Sequence, residues 1–173
     1  MYIPVILGTA REGRKSEKVA NFVLREVQQS GVETTLIDVR DFHLEATSNT
    51  GTSSQAKKWA KEVKKADAII IVSPEYNHSY PGELKIFLDQ LFDEYFGKLV
   101  AFCTVSKGPF AGVRVLEQLN LLAVTLKMRP FSKAVVFPKV GELFDKSGQI
   151  LDPSYHARIQ EFITGLKTTN SGV

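Results

Sequence analysis

The 173-residue chain has one cysteine, Cys103, and three histidines. A lone cysteine excludes an intrachain disulfide framework. Cys103 sits in the apolar run Leu99–Cys103, so a buried structural thiol is expected. His43, His78 and His156 lie too far apart in sequence for ligand spacing, and no metal site is expected from them. No apolar run approaches the ~20 residues needed to span a bilayer. The N-terminus does not show the basic, apolar and small-residue order of a secretory leader. These absences predict a cytoplasmic protein with no membrane partner. Excess charge of one sign is also lacking, with 22 Lys and Arg against 19 Asp and Glu for a formal net charge of +3. A nucleic-acid binder shows a longer basic stripe. The one basic cluster, Arg11, Arg14, Lys15 and Lys18, suits a small anion instead. Hydrophobic residues make up 43% and charged residues 24%, which predicts a globular chain, read as one domain over residues 1–173.

What is present is alternation. Tyr2–Leu7, Glu33–Val39, Asp67–Val72, Leu99–Val105 and Phe131–Phe137 read as strands. Between and after them, Ser16–Ser30, Ser53–Lys65, Gly82–Phe96, Gly112–Met128 and a segment marked by Tyr155, Ile159, Phe162, Ile163 and Leu166 carry helical apolar spacing. Near-continuous apolar strands separated by helices predict a parallel sheet covered on both faces. The expected fold class is α/β, a flavodoxin-like three-layer sandwich with a five-stranded parallel sheet in the order 2-1-3-4-5. Asn170–Val173 reads as a frayed tail.

Ligands of such sheets bind beyond the carboxyl ends of the strands, where the strand order reverses. The loops in that position are Gly8–Lys15, Ser73–Pro81 and Ser106–Ala111. In the first, small residues, the hydroxyls of Thr9 and Ser16, and the cations Arg11 and Arg14 precede a helix start, a combination suited to phosphate. A dinucleotide fingerprint needs a second glycine that this loop lacks. A Walker A loop is nearly matched by Gly8 and Gly13, but Arg14 stands at the lysine position and Lys15-Ser16 come one residue late. A flavodoxin-like mononucleotide loop remains. The second loop, Ser73-Pro74-Glu75-Tyr76-Asn77-His78-Ser79-Tyr80-Pro81, offers an aromatic wall and polar edges for a flat heterocycle. Asp38, Asp41 and Glu45 read as strand-end and loop residues rather than a phospho-acceptor cluster.

The chain resembles the NADPH-dependent FMN reductase family. The first-loop pattern is met by Gly8-Thr9-Ala10-Arg11 with Arg14 and Ser16, and the long second pattern is complete from Pro74 to Lys85, with Asp89 following. Gly112, Arg114, Gln118 and Leu119 resemble the family's fourth helix start, and Phe144–Gly148 with Asp152 its loop before the last helix. Two features depart from the pattern: Ile86 replaces a frequent Asn, and the third loop reads Ser106-Lys107-Gly108-Pro109-Phe110 rather than glycine-rich.

The resemblance implies FMN as cofactor and NADPH or NADH as electron donor. It implies phosphate on Gly8, Thr9, Arg11, Arg14 and Ser16, and ribityl and ring on Pro74, Glu75, Tyr76 and Asn77. Ser106 and Gly108 would close the far side. The flavin carries the chemistry, so no catalytic side chain is assigned. The implied function is electron transfer from a reduced nicotinamide to a small acceptor: a quinone, flavin, azo compound or metal ion. A non-catalytic flavodoxin-type carrier is the alternative, and a P-loop phosphohydrolase the third reading. Ile86, Leu121, Val124 and Met128 exceed the apolar stripe that each helix needs. With the resemblance, this predicts a homo-oligomer, a dimer or tetramer, joined through the third and fourth helices.

Overall fold

The structure, a computed structural model, describes residues 1–42 and 51–171. His43 and Glu45 lie outside the described residues. The strands are β1 (Val5–Leu7), β2 (Leu36–Asp38), β3 (Ala68–Pro74), β4 (Leu99–Val105) and β5 (Arg129–Phe137). The helices are α1 (Ser16–Gln29), α2 (Ser54–Lys65), α3 (Gly82–Leu88), α4 (Val113–Thr125) and α5 (Ser154–Ser171). All strand pairs are parallel, in the order β2-β1-β3-β4-β5. The sandwich expected from the sequence is the one observed. Asn170 and Ser171, expected in a frayed tail, continue α5.

Alternate strand residues feed opposite faces of the sheet. Val5, Leu7, Ile70 and Val72 pack with Val19, Phe22 and Val23 of α1 and Ile159, Phe162 and Leu166 of α5. Ile6, Ile69 and Ile71 pack with Trp59 of α2, Phe87 of α3 and Leu119 of α4. The runs around Asp67–Val72 and Leu99–Val105 look continuous in sequence because both of their faces are buried.

The third helix differs from its expectation. It ends at Leu88, and the chain resumes as a 3₁₀ turn at Asp93–Tyr95. The apolar period persists, but Tyr95 diverts it. Its ring is fully buried, and its hydroxyl donates to the Leu88 carbonyl at 3.1 Å while accepting from Trp59 Nε1 at 2.6 Å. In a continuing helix that carbonyl would receive the Phe92 N–H, which instead meets the Glu94 carboxylate at 3.3 Å.

Candidate functional site

The first, second and third loops follow β1, β3 and β4 and meet above the sheet. They frame a cleft of about 280 Å³ lined by Arg11–Ser16, Pro74–Tyr76, Val105–Lys107 and Val140. Of the residues expected at the site, Arg11, Arg14, Ser16, Pro74, Glu75, Tyr76 and Ser106 line it. Gly8, Thr9, Asn77 and Gly108 do not.

Gly8 is small for a reason other than ligand approach. A Cβ there would lie 3.0 Å from Leu84 Cδ2 and 3.1 Å from the Val72 carbonyl oxygen. Thr9 is buried behind the wall, with Oγ1 3.2 Å from the Tyr76 hydroxyl and accepting from Arg11 N–H at 3.3 Å. Tyr76 therefore joins the first loop to the second, and the Arg11 guanidinium stands over its ring, 5.5 Å from the centroid.

α1 begins without a side-chain cap. Ser16 lies inside its first turn, 2% exposed, and its Oγ has no hydrogen-bond partner among the described residues. A buried hydroxyl left unpaired costs about 1–3 kcal/mol, so this atom, at a helix end that favours anions, calls for an acceptor from outside the chain.

The basic cluster divides. Arg14 is buried, and its guanidinium forks onto both Asp38 oxygens, touches the Thr9 carbonyl, and reaches Glu17 with Nε at 3.5 Å. Lys18 donates to the Asp145 carbonyl at 2.8 Å, tying α1 to the loop before α5. Arg11, by contrast, makes no ion pair among the described residues. Burial works against charge on Asp38, yet the hydrogen bonds from Arg14 and from Arg40 N–H hold its carboxyl below the usual carboxylate range.

Glu75 is also committed. Oε2 accepts the Arg114 and Val115 N–H groups, both at 3.2 Å, and Oε1 lies 4.0 Å from Arg114 Nη1. It caps α4 across the mouth of the cleft, where the sequence reading placed it against ribityl and ring. Asn77 and His78 both take positive φ, 50° and 66°. They form a two-residue turn closed by Tyr76 N–H to the Ser79 carbonyl at 2.8 Å and its reciprocal at 3.0 Å. Ser106 Oγ donates to the Gly108 carbonyl at 3.0 Å, and Gly108 in turn accepts from Lys139 N–H at 3.1 Å. These two residues hold the third loop against the segment after β5, which brings Val140 to the wall.

A sequence profile of the NADPH-dependent FMN reductase family matches residues 1–142, the stretch that contains every wall residue of the cleft. The chain belongs to that family. An NAD(P)H-dependent FMN reductase of Schizosaccharomyces pombe is 30% identical over 165 residues, 88% of this chain and 79% of the relative. A quinone reductase of Escherichia coli K12 is 26% identical over 163 residues, 84% of this chain and 86% of the relative. Among solved structures, the flavoenzyme NAD(P)H:(acceptor) oxidoreductase of Paracoccus denitrificans superposes with a TM-score of 0.80 at 16% identity, covering 99% of this chain and 97% of that one. The family reductases are oxidoreductases that use FMN and NAD(P)H, and this chain is one of them.

Two residues that brace the reductase's first loop from the end of β2, Asp38 and Arg40, escaped sequence reasoning in their role. The signal was available in part. In the order 2-1-3, the end of β2 must lie beside the loop that follows β1.

Proposed function

We propose that residues 1–173 act as one flavodoxin-like domain that binds FMN in this cleft and passes electrons from NADPH or NADH to a small oxidised acceptor. The quinone class is the first candidate acceptor, because several relatives are named quinone reductases. The unpartnered Ser16 Oγ at the head of α1 carries the reading. The residues present suit the phosphate end of FMN: Ser16 Oγ and the first-turn N–H groups donate to it, and Arg11 supplies charge. Pro74 and Tyr76 form the wall for the ring, and Thr9 orients the Tyr76 hydroxyl. Glu75, Asn77, Ser106 and Gly108 hold the second and third loops in shape, and Gly8 lets the first pass close to β3. Bound FMN supplies the two-electron chemistry. The protein positions it, keeps the isoalloxazine accessible and excludes bulk water from the phosphate. A cytoplasmic site of action fits a nicotinamide-dependent reductase.

The test is spectroscopic. Apoprotein given FMN should turn yellow and retain the colour through gel filtration. Anaerobic NADPH or NADH should bleach it, and a quinone should restore the colour. Flavin that binds but is not bleached would favour the carrier. Arg11→Ala should weaken FMN binding about tenfold or more while changing riboflavin affinity little. Equal losses for both ligands would place Arg11 away from the phosphate.

The same proposal extends to assembly. Leu121 and Val124, one turn apart on α4, are 65% and 63% exposed, and Phe92 and Phe96 are exposed beyond α3. Lys127, just past the end of α4, stands over both rings, at 5.7 and 4.2 Å. Met128, expected in the surplus, is buried in the core instead, and Ile86 is half-buried. The exposed apolar face of α4, with the Phe92–Phe96 turn beside it, supports pairing of two copies around a two-fold axis.

A further inference from the structure

We propose that Arg14, Asp38 and Arg40 act as positioning residues that aim the first-loop backbone at the FMN phosphate by holding three successive carbonyls on the opposite side. The inference rests on the phosphate reading of the first loop. Arg14 Nη1 donates to the Thr9 carbonyl. Arg40 Nε donates to the Ala10 carbonyl at 2.9 Å, and Arg40 Nη2 to the Arg11 carbonyl. Asp38 fixes both arginines: it receives the Arg14 fork, at 2.7 Å from Nη1 to Oδ1, and accepts Arg40 N–H at 3.0 Å. Three consecutive carbonyls of a strand-to-helix loop are thus claimed by two guanidinium groups, both anchored at the end of β2.

The consequence follows from peptide geometry. In a trans peptide, a carbonyl and the next N–H point in opposite directions, and no peptide of the described residues is cis. The clamped carbonyls of Thr9, Ala10 and Arg11 therefore turn the N–H groups of Ala10, Arg11 and Glu12 away from the arginines. The Arg11 N–H is itself taken by Thr9 Oγ1, at 3.3 Å behind the cleft wall, which leaves the N–H groups of Ala10 and Glu12 for a ligand. Such a row of N–H groups is a concave anion receptor. Left to itself, a loop with Gly13 at φ +64° and no side-chain cap on α1 has little to fix those peptide planes. The arginines also neutralise Asp38, which would otherwise repel a phosphate next to the loop. Arg14 is thus placed to serve phosphate through the backbone rather than by contact.

Asp38→Asn separates this role from direct phosphate contact, because it releases Arg14 with its charge intact. Apoprotein of wild type, Asp38→Asn, Arg14→Ala and Arg40→Ala is titrated with FMN and with riboflavin, and hydrogen exchange of the first loop is followed in each. Wild type should prefer FMN. Each variant should lose about tenfold or more of that preference, with riboflavin affinity held, faster exchange at residues 10–13 and unchanged protection in β3 and β4. The double variant Arg14→Ala/Asp38→Asn should lose no more than the worse single. If Asp38→Asn fails to fold, Arg40→Ala alone decides, since it frees two carbonyls and leaves the Arg14–Asp38 pair in place. Wild-type preference for FMN retained or raised in Asp38→Asn, or retained in Arg40→Ala when that variant decides, overturns the positioning role alone. Wild type that binds FMN and riboflavin equally overturns the phosphate reading and this role with it.

Discussion

Cys103 shows how a side chain's surroundings fix its chemistry. It is fully buried in β4, and burial pushes its thiol well above the usual range. A thiol-reactive dye should label no cysteine in the native protein and one per chain after unfolding, because the thiolate is the reactive form. Labelling of the folded protein at a rate near that of a free thiol would contradict the burial. Asp38 gives a second residue-scale expectation. A carboxyl held below its ordinary 3.8 contributes stability above that pH, and the contribution is lost as pH falls through the depressed value. Asp38→Asn should therefore melt lower than wild type at about pH 6, and the gap should narrow as pH is taken down below 3.8 and the wild-type carboxyl protonates. A gap that stays constant across this range would mean that the Asp38 charge is not what stabilises. Arg14 illustrates the limit of reading residues singly. The sequence lists a cation in a phosphate-type loop, but its partner stands 24 residues on, in a neighbouring strand. Composition counts charges without telling which are already neutralised.

Elements were more legible than their ends. Asp67–Val72 could be read as a buried strand because its five apolar residues, Ala68–Val72, repeat one message, and the second loop because its pattern runs unbroken from Pro74 to Lys85. The end of α3 was not legible. Leu84, Phe87, Leu88, Leu91 and Tyr95 keep a helical period that the backbone abandons after Leu88, and the cause is a tertiary hydrogen bond, not a local signal. The Asn77-His78 turn was hidden for a related reason: a non-glycine pair takes conformations that usually call for glycine. At this scale, Tyr95→Phe is the informative change. It preserves the ring and strands both Trp59 Nε1 and the Leu88 carbonyl in a buried site. A loss of about 1–3 kcal/mol in urea unfolding is expected, with a shift in the emission of Trp59, the sole tryptophan. A loss within about 0.5 kcal/mol would mean that water reaches the pair.

At the scale of the whole molecule, the sheet separates two tasks. The face carrying α1 and α5 is closed by its own core, whereas α4 presents Leu121 and Val124 outward. Light scattering at micromolar concentration should give a mass above that of one 19.3 kDa chain. Leu121→Lys with Val124→Lys should return it to the monomer without lowering the melting temperature of the monomeric unit. A wild-type mass of one chain, with FMN bound and full reductase activity, would remove the pairing. No helix of the described residues is long and apolar enough to cross a membrane. Among those residues no three His, Cys, Asp or Glu gather as a metal set, and His156 instead meets the buried Glu26 at 2.7 Å.

The wall of the cleft is also a sequence in time. Chains emerge from synthesis N-terminus first. The first loop exists as soon as β1 and α1 do, but its carbonyls wait for Asp38 and Arg40. Tyr76 reaches Thr9 only after β3, and the third loop gains its brace when Lys139 and Val140 arrive. α5 adds core but no wall. On the proposed reading, the growing polypeptide therefore acquires a receptor for the smallest part of its ligand first and a seat for the largest part last, with the closing helix still to come.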